Sequence, residues 1–187
     1  MELLTEPGSL LLSMPQLMDE NFMHTVVLMV EHTPDGAYGL VVNRPAAVTI
    51  DQLMPDHPVL SQALFPVYSG GPVGLDTLQF IHRVPNEIPG GLQLYDDLYM
   101  GGEFESLASH ISREGGGGDV RLFLGYSGWG AGQLDAELAT GSWVPAPPRP
   151  EVEFLRGDPE RTWRETMRAL GSDGEGLSHQ PPDPSWN

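Results

Sequence analysis

The hydrophobic residues of this chain fall in short runs interrupted by proline and glycine, and most of these runs predict β-strands. The run at 9–14 ends at Pro15, which lacks the amide hydrogen that a strand ladder needs. The runs at 25–32 and 38–43 are rich in β-branched residues and flank a Pro-Asp-Gly turn, so they predict a β-hairpin. Because both hairpin strands are almost continuously apolar, we expect other elements to cover both of their faces. The hairpin should therefore be central in the fold.

Further elements follow from the apolar pattern and its interruptions. Between residues 103 and 113 the apolar side chains recur three and four positions apart, which is the spacing of one helical face. Asp158 followed by Pro159 is a typical helix start, and it predicts a helix that ends before Gly171. Strands are predicted at 67–69, 77–83, 92–95 and 120–126, short helices at 51–54 and 59–64, and a glycine-rich turn after residue 126 that leads into a helix at 131–139.

The order of these elements predicts the fold class. Strands and helices are mixed without the steady alternation that produces a doubly wound parallel sheet, so the class is α+β. A chain of 187 residues with 40% hydrophobic residues is long enough for one compact domain with its own core. We place this single domain at residues 3–170. Residues 171–187 are rich in glycine, proline, serine and acidic residues, and they predict a disordered tail.

Composition excludes several kinds of chemistry. The chain has no cysteine, which excludes disulfides, thiolate nucleophiles and cysteine-ligated metals. Its nine basic residues are all arginine, which excludes a Schiff-base lysine. The net charge of −17 at pH 7 repels phosphate backbones, so direct binding to nucleic acid is not expected. This acidity either maintains solubility or attracts a basic partner protein or a cation.

The sequence predicts a cytoplasmic protein with no membrane segment. No basic residue precedes the apolar run at 10–12, so the pattern of a secretory signal peptide is absent. The longest uninterrupted apolar stretch, at 26–30, is far shorter than the roughly 20 residues that cross a bilayer.

A glycine-rich motif follows the strand at 120–126. Residues 125–129 resemble the G-x-S-x-G elbow of α/β-hydrolases, with Ser127 at the nucleophile position. However, Trp129 replaces the last glycine, and the downstream histidine, His179, lies in the predicted tail. A structural turn is therefore favoured over a serine hydrolase. A dinucleotide-binding loop would need glycine in place of Gln133, so these glycines either free helix amides for an anion or let Trp129 enter the core.

Several ionisable side chains are further candidates. His24, Glu31, His32 and His82 could form an acid–base or metal site, because imidazole titrates near neutrality and a carboxylate can orient it. Their spacing matches no zinc signature, so no metal is predicted. Glu31 and His32 point to opposite faces of a regular strand, and a structural role for His32 is therefore favoured.

Asn43 and Arg44 come directly after the predicted hairpin. The planar guanidinium of Arg44 could hold a carboxylate or a phosphate of a ligand. Pairing with one of the many acidic side chains is the favoured interpretation, because acidic residues greatly outnumber basic ones.

Several segments together resemble the YqgE/AlgH family of bacterial proteins, also called UPF0301. The matching segments occur in the family's order across nearly the whole chain, at 8–15, 19–22, 31–32, 36–45, 70–73, 80–82 and 124–134 and at Trp143. The resemblance does not depend on any single motif. The proline-rich stretch at 145–150 and the tail depart from the family pattern, which leaves the role of C-terminal contacts open.

The resemblance implies a cytoplasmic α+β protein in which helices surround a small, barrel-like, bifurcated sheet. It implies no established catalytic residue and no cofactor. The AlgH name associates the family with transcriptional regulation of alginate synthesis, but the acidity of this chain argues against direct contact with an operator.

Two functions remain open from the sequence. The preferred one is a non-enzymatic binding or regulatory protein that acts through a protein partner or a small ligand. The alternative is an enzyme or small-molecule binder with a pocket near Arg44, His82 and the 125–133 turn. The candidate ligand or interaction residues are Glu31, His32, Asn43, Arg44, Gly70, Gly71, Pro72, His82, Gly125, Ser127, Trp129 and Gln133.

Overall fold

The computed structural model describes residues 5–15, 17, 19–114, 118–148, 155 and 158–171. These residues form ten strands and four α-helices, with one 3₁₀ turn at Leu60–Gln62. The strands are β1 (Leu10–Ser13), β2 (Val26–Thr33), β3 (Gly36–Val41), β4 (Pro45–Thr49), β5 (Pro66–Ser69), β6 (Val73–His82), β7 (Leu92–Tyr95), β8 (Leu98–Met100), β9 (Val120–Gly130) and β10 (Trp143–Ala146). The helices are α1 (Ile50–Leu53), α2 (Phe104–Glu114), α3 (Gln133–Ala139) and α4 (Pro159–Arg168). None of these described helices has the length and apolar character needed to cross a membrane.

The sheet divides at β9, which is its longest strand. Residues 122–124 of β9 pair in parallel with β5, whereas residues 127–130 pair antiparallel with β3. Beyond β3 the sheet continues through β2 and β1 to β10, and beyond β5 it continues to β4. The opposite edge of β9 pairs with β6, which is followed by β8 and β7. One strand therefore supports two branches of the sheet.

This topology confirms the α+β class and the bifurcated sheet. The sheet remains open, because the path of paired strands runs from β10 at one end to β7 at the other, and no pairing among the described residues joins those two strands. It is therefore not closed into a barrel.

The central hairpin is formed by β2 and β3, as predicted. Thr33 pairs with Gly36, which leaves a two-residue turn at 34–35. Residues 26–30 are all buried, and alternate members of this stretch belong to two different core clusters. Because the side chains of a strand alternate between faces, both faces of β2 are covered, which explains its continuous apolar run.

The sequence prediction was wrong in one segment and incomplete in others. Residues 127–130, predicted as a turn, instead continue β9, and the chain turns only at residues 131–132. Pairing with β3 holds this glycine-rich segment extended, although glycine favours strands weakly. The strands β4, β8 and β10 were not predicted: β4 and β10 each contain a proline, which argues against a strand, and β8 has only three residues.

Helix α4 begins at the predicted N-cap and packs on the hairpin side of the sheet. The carboxylate of Asp158 accepts a hydrogen bond from the Glu160 amide at 3.0 Å. Trp163 is fully buried in the core cluster that includes β1 and β2, and its indole donates to the Ser13 carbonyl oxygen at 2.9 Å. The single domain at 3–170 stays a prediction, and residues 172–187 of the predicted tail lie outside the described residues.

Candidate functional site

The candidates Gly70, Gly71 and Gly125 mark a close crossing of two backbone segments. The Gly70 amide donates to the Leu124 carbonyl oxygen at 2.8 Å. A Cβ atom on Gly71 would lie 2.2 Å from the Tyr126 carbonyl group, and one on Gly125 would lie 2.5 Å from the Gly71 carbonyl oxygen. Real Cβ atoms do not approach other atoms so closely, so the crossing requires glycine at both positions.

Ser127 is a structural residue of β9. Its side chain is completely buried, and its hydroxyl donates to the Gly70 carbonyl oxygen at 3.1 Å. Because β9 continues to Gly130, Ser127 does not lie at a turn between a strand and a helix. The exposed elbow that a serine nucleophile needs is therefore not formed here. The hydroxyl instead joins β9 to the glycine crossing.

Asn43 ties the end of β3 to the start of β2 and to α4. Its side-chain oxygen accepts from the Val26 amide at 2.9 Å. Its side-chain nitrogen donates to the carbonyl oxygens of His24 at 2.8 Å and Pro159 at 3.5 Å. Both ends of the amide are therefore engaged with main-chain groups.

Arg44 also binds main-chain groups, whereas the sequence favoured an acidic side chain as its partner. It donates to three carbonyl oxygens of the 20–23 loop, those of Glu20, Asn21 and Met23. Burial lowers the pKa of its guanidinium, and the nearby carboxylate of Asp19 opposes that change. Arginine remains a cation in proteins, so Arg44 contributes a positive charge to its surroundings.

His82 is completely buried beside the turn that follows β8. Its Nε2 hydrogen-bonds with the Gly101 carbonyl oxygen at 2.9 Å, and its Nδ1 accepts from the Val84 amide at 3.3 Å. These partners assign the proton to Nε2. Burial lowers the pKa of His82, with the Gly101 hydrogen bond acting in the opposite direction. His82 is therefore a neutral ring with both nitrogens engaged.

Glu31 and His32 have different surroundings, as expected for neighbours on one strand. Glu31 is exposed. His32 is largely buried, and its Nδ1 hydrogen-bonds with the Thr5 hydroxyl. Its Nε2 lies 3.4 Å from a carboxylate oxygen of Asp135 on α3. His32 thus connects the hairpin to the N-terminal segment and to α3.

Trp129 and Gln133 belong to a network centred on Glu137. The indoles of Trp129 and Trp143 donate to the same Glu137 oxygen, at 2.9 Å and 2.8 Å. Gln133 donates to the other oxygen at 3.0 Å and accepts from the Gly130 amide at 3.0 Å. Trp129 is 6% exposed, so its ring enters the core. This was one of the two roles that the sequence left open for the surrounding glycines. Glu137 was missed, although its position one turn after Gln133 on a predicted helix was a usable signal.

The predicted candidates do not converge on one place. Arg44, Gly71 and Pro72 line a small hollow of about 170 Å³ at the sheet fork. His82 is buried beside the turn after β8 and does not line this hollow. Gln133 is the first residue of α3 and does not line the hollow either.

A larger recess, of about 740 Å³, lies where the segment before β2 and the end of β3 meet the start of α4. Its volume falls within the range of roughly 300–1,000 Å³ that is typical of small-molecule sites. We call this recess the α4 cleft. It is lined by Met23, His24, Thr25, Asn43, Arg44, Asp158, Pro159, Glu160, Arg161 and Arg164.

His24 is the most unusual group in the α4 cleft. Its imidazole stacks on the Trp163 indole with 3.8 Å between ring centres and 9° between planes. Its Nε2 is buried and has no hydrogen-bond partner within the described part of the chain. Burial, and then the charge of Arg164, lower the pKa of His24 to about 4, so the ring is neutral at pH 7. A buried nitrogen without a hydrogen-bond partner is uncommon in folded proteins, so His24 needs an explanation that the core packing does not give.

The charged groups of the α4 cleft are three arginines and two acids. Asp158 is engaged, because one carboxylate oxygen caps α4 and the other lies 3.6 Å from Arg161. The guanidinium of Arg164 forms neither an ion pair nor a hydrogen bond with the residues that the structure describes. Arg44 and Glu160 complete the set. The cleft therefore has a local excess of positive charge in a strongly acidic protein.

Sequence reasoning named His24, Asn43 and Arg44 but missed Arg161 and Arg164. The sequence did contain a signal for these two arginines, because residues three apart on a helix share a face and the Asp158 N-cap fixes where that helix begins. In the described residues no group of three His, Cys, Asp or Glu side chains could hold a metal ion.

The fold and cleft together define an α+β protein with an open, bifurcated sheet and a recess at the start of its last described helix. The chain belongs to the AlgH-like family, whose sequence pattern matches residues 10–175. It is 36% identical to a UPF0301 protein of Chlorobium limicola over 97% of this chain and 95% of the relative. It is 39% identical to a UPF0301 protein of Cytophaga hutchinsonii over 96% of this chain and 98% of the relative.

Two solved structures have a similar fold. The solution structure of the UPF0301 protein AlgH from Pseudomonas aeruginosa has a TM-score of 0.69 and 30% sequence identity, and the match covers 94% of each chain. The crystal structure of a protein from Corynebacterium diphtheriae has a TM-score of 0.74 and 22% identity, over 94% of this chain and 92% of that one. The second match supports the fold alone.

Proposed function

We propose that this protein is a non-enzymatic binding protein with a regulatory role, and that it holds a small ligand in the α4 cleft. The contrast between its polar groups is the observation that carries the proposal. Ser127 and both nitrogens of His82 are bonded to the main chain, whereas the buried His24 Nε2 and the exposed Arg164 guanidinium, on two residues that line the cleft, have no partner among the described residues.

The lining of the α4 cleft favours binding over catalysis. A covalent mechanism needs a nucleophile within hydrogen-bond reach of a base. The one hydroxyl in the described lining belongs to Thr25, and it donates to the Phe22 carbonyl oxygen at 2.9 Å. The arginines are permanent cations, which can hold and orient a ligand but are poor proton carriers at neutral pH.

A regulatory role follows from the position of the cleft on α4. This helix supplies Arg161 and Arg164 to the cleft and buries Trp163 in the core cluster shared with β1 and β2. Because Trp163 also stacks on His24, a ligand at the cleft would act directly on the packing of α4. A partner protein that contacts α4 would then respond to the change in the position or stability of this helix.

A matched pair of tryptophan substitutions on α4 tests this proposal. Glu160 and Glu165 are both exposed, but only Glu160 lines the α4 cleft. Protein isolated gently from its own cells is examined by native mass spectrometry, before and after denaturation, for a small molecule that is bound without a covalent link. Wild type and Glu165→Trp should retain that molecule, whereas Glu160→Trp should lose it because the indole fills the entrance.

Two results would count against the proposal. Equal retention of the small molecule by both variants would place its site away from the α4 cleft. Conversion of the released molecule to a product by fresh protein would show an enzyme. Loss of the molecule in Glu160→Trp without any conversion supports a binding protein.

A further inference from the structure

The three arginines of the α4 cleft differ in how many hydrogen bonds and ion pairs they form within the protein. Arg44 uses three of the five N–H donors of a guanidinium on the 20–23 loop, which leaves two. Arg161 is three-quarters exposed and lies 3.6 Å from the exposed carboxylate of Asp158, a pairing that solvent weakens. The guanidinium of Arg164 has no ion pair or hydrogen bond to any described residue. Donors and charge are therefore available at the cleft.

The start of α4 does not account for this site by itself. Its first free amides are already used, because Glu160 is capped by the Asp158 side chain and the amides of Arg161 and Thr162 donate to the Asp158 carbonyl oxygen. Recognition at the α4 cleft must therefore come from side chains. Those side chains are three of the nine arginines in a chain that has no lysine.

We propose that the α4 cleft binds a small molecule through an oxyanion group, either a carboxylate or a phosphate, which Arg161 and Arg164 hold from α4 and Arg44 holds from the end of β3. A planar guanidinium matches both kinds of oxyanion with paired hydrogen bonds. This inference rests on the proposed function, because it names the class of ligand for the same cleft.

His24 also lines the cleft and gives the site a characteristic pH dependence. Its buried Nε2 becomes a hydrogen-bond donor when the ring is protonated. The charge of Arg164 on α4 opposes protonation of His24 in the empty cleft, whose other charged lining residues are Asp158, Glu160, Arg44 and Arg161. A bound oxyanion adds negative charge beside the ring and favours its protonation. Binding of an anion whose own charge stays constant should therefore tighten as the pH falls from 7.5 towards 5.

The test compares two anions with a neutral analogue in titration calorimetry at low ionic strength. The probes are inorganic phosphate, succinate and succinamide, and two-dimensional NMR of the His24 ring reports where each one binds. The variants are Arg161→Gln and Arg164→Gln in the cleft, with Arg168→Gln as a control that removes the same charge from α4 outside the cleft lining.

We expect phosphate or succinate to shift the His24 resonances and succinamide to bind much more weakly. Loss of one charged hydrogen-bond donor should weaken binding on the order of tenfold or more in Arg161→Gln and Arg164→Gln. Arg168→Gln should remain within about twofold of wild type, as expected for loss of a screened surface charge. Preference for phosphate or for succinate identifies which oxyanion the cleft takes.

The inference and the proposed function fail in different ways. If succinamide shifts the His24 resonances as strongly as succinate, the oxyanion assignment is wrong. It is also wrong if Arg161→Gln, Arg164→Gln and Arg168→Gln all bind the anions with equal affinity. In both cases the proposal of a ligand site at the cleft stands. If neither anion binds at millimolar concentration, but the molecule retained by wild type is uncharged and is lost in Glu160→Trp, the oxyanion assignment is likewise wrong. If no molecule is lost in Glu160→Trp and neither anion binds, both proposals are wrong.

Discussion

The partners of each polar residue, more than its type, separate structural from functional roles in this protein. His24 and His82 are both neutral histidines whose pKa is lowered mainly by burial. The two nitrogens of His82 are bonded to Gly101 and Val84, so its ring braces the end of β6. His24 instead has a buried nitrogen without a partner in the described residues, at the edge of a ligand-sized recess.

Replacing His24 should change how stability depends on pH. The pKa of His24 is about 4 in the folded state against 6.5 for an unperturbed ring, so between these values the unfolded chain binds a proton that the folded protein does not. His24 therefore does not weaken the folded state above pH 6.5, and the free energy of unfolding decreases as the pH falls from 6.5 towards 4. After discounting for the half-buried ring, we expect wild type to lose about 1 kcal/mol more than His24→Asn between pH 7.5 and pH 5.

Urea unfolding of both proteins at several pH values measures this difference. Asparagine is the suitable replacement, because His24 has a φ of +48° and asparagine tolerates the left-handed region better than most residues. The other five histidines are common to both proteins, so their contributions cancel. Parallel stability curves for the two proteins would show that His24 titrates normally in the folded state.

At the scale of elements, glycine at the fork of the sheet should be far less replaceable than glycine with the same backbone conformation elsewhere. Gly125 and Gly132 have nearly identical φ angles of +71° and +70°. A Cβ on Gly125 would lie 2.5 Å from the Gly71 carbonyl oxygen, whereas one on Gly132 would meet nothing within 4 Å. Gly132→Ala should therefore cost about 1–2 kcal/mol for the left-handed conformation alone. Gly125→Ala should cost more than about 3 kcal/mol or prevent folding.

Circular dichroism with urea unfolding compares these two alanine variants under the same conditions. The comparison isolates the backbone crossing, because the conformational term is common to both positions. If Gly125→Ala were as stable as Gly132→Ala, the segment around Gly71 could move aside, and the crossing would not be a rigid part of the fork.

The elements that could be predicted from sequence are those whose signal is local. The hairpin of β2 and β3 has a turn motif between two long apolar runs, and α4 has an N-cap followed by proline, so both were found. The extension of β9 through residues 127–130 was missed because glycine favours turns in isolation. Pairing with β3 overrides that preference, and such pairing is a property of the assembled sheet.

At the scale of the whole molecule, the candidate site shows the same limit of sequence reasoning. Asn43 and Arg44 were found from their chemistry, but nothing local places them beside Arg161 and Arg164, more than a hundred residues later. Only the packing of α4 against the hairpin brings these arginines together. At Ser127 the sequence resembles a catalytic motif, but the residue lies on β9 and its hydroxyl donates to the Gly70 carbonyl oxygen at the fork of the sheet.

The net charge of −17 predicts that salt stabilises this protein. Acidic side chains repel one another in the compact state, and at 0.1 M ionic strength charges more than about 10 Å apart are largely screened. Because repulsion acts over longer distances than the few close ion pairs, screening should remove more repulsion than attraction. We expect the melting temperature to rise by a few degrees between 20 and 300 mM NaCl, as about 1 kcal/mol corresponds to roughly 2–4 °C at this size.

A variant with three neutralised acids separates screening from specific binding of chloride. Asp56, Asp76 and Glu103 are exposed and lie outside the α4 cleft, so Asp56→Asn, Asp76→Asn and Glu103→Gln together change the net charge from −17 to −14 without touching its arginines. If screening is the cause, this variant should melt at a higher temperature in low salt and gain less from NaCl than wild type. If chloride acts by occupying the cleft, the triple variant should keep the full salt effect and Arg164→Gln should lose it. A melting temperature that falls with salt in all three proteins would mean that close ion pairs such as Arg83 with Asp97, 2.7 Å apart, outweigh the repulsion.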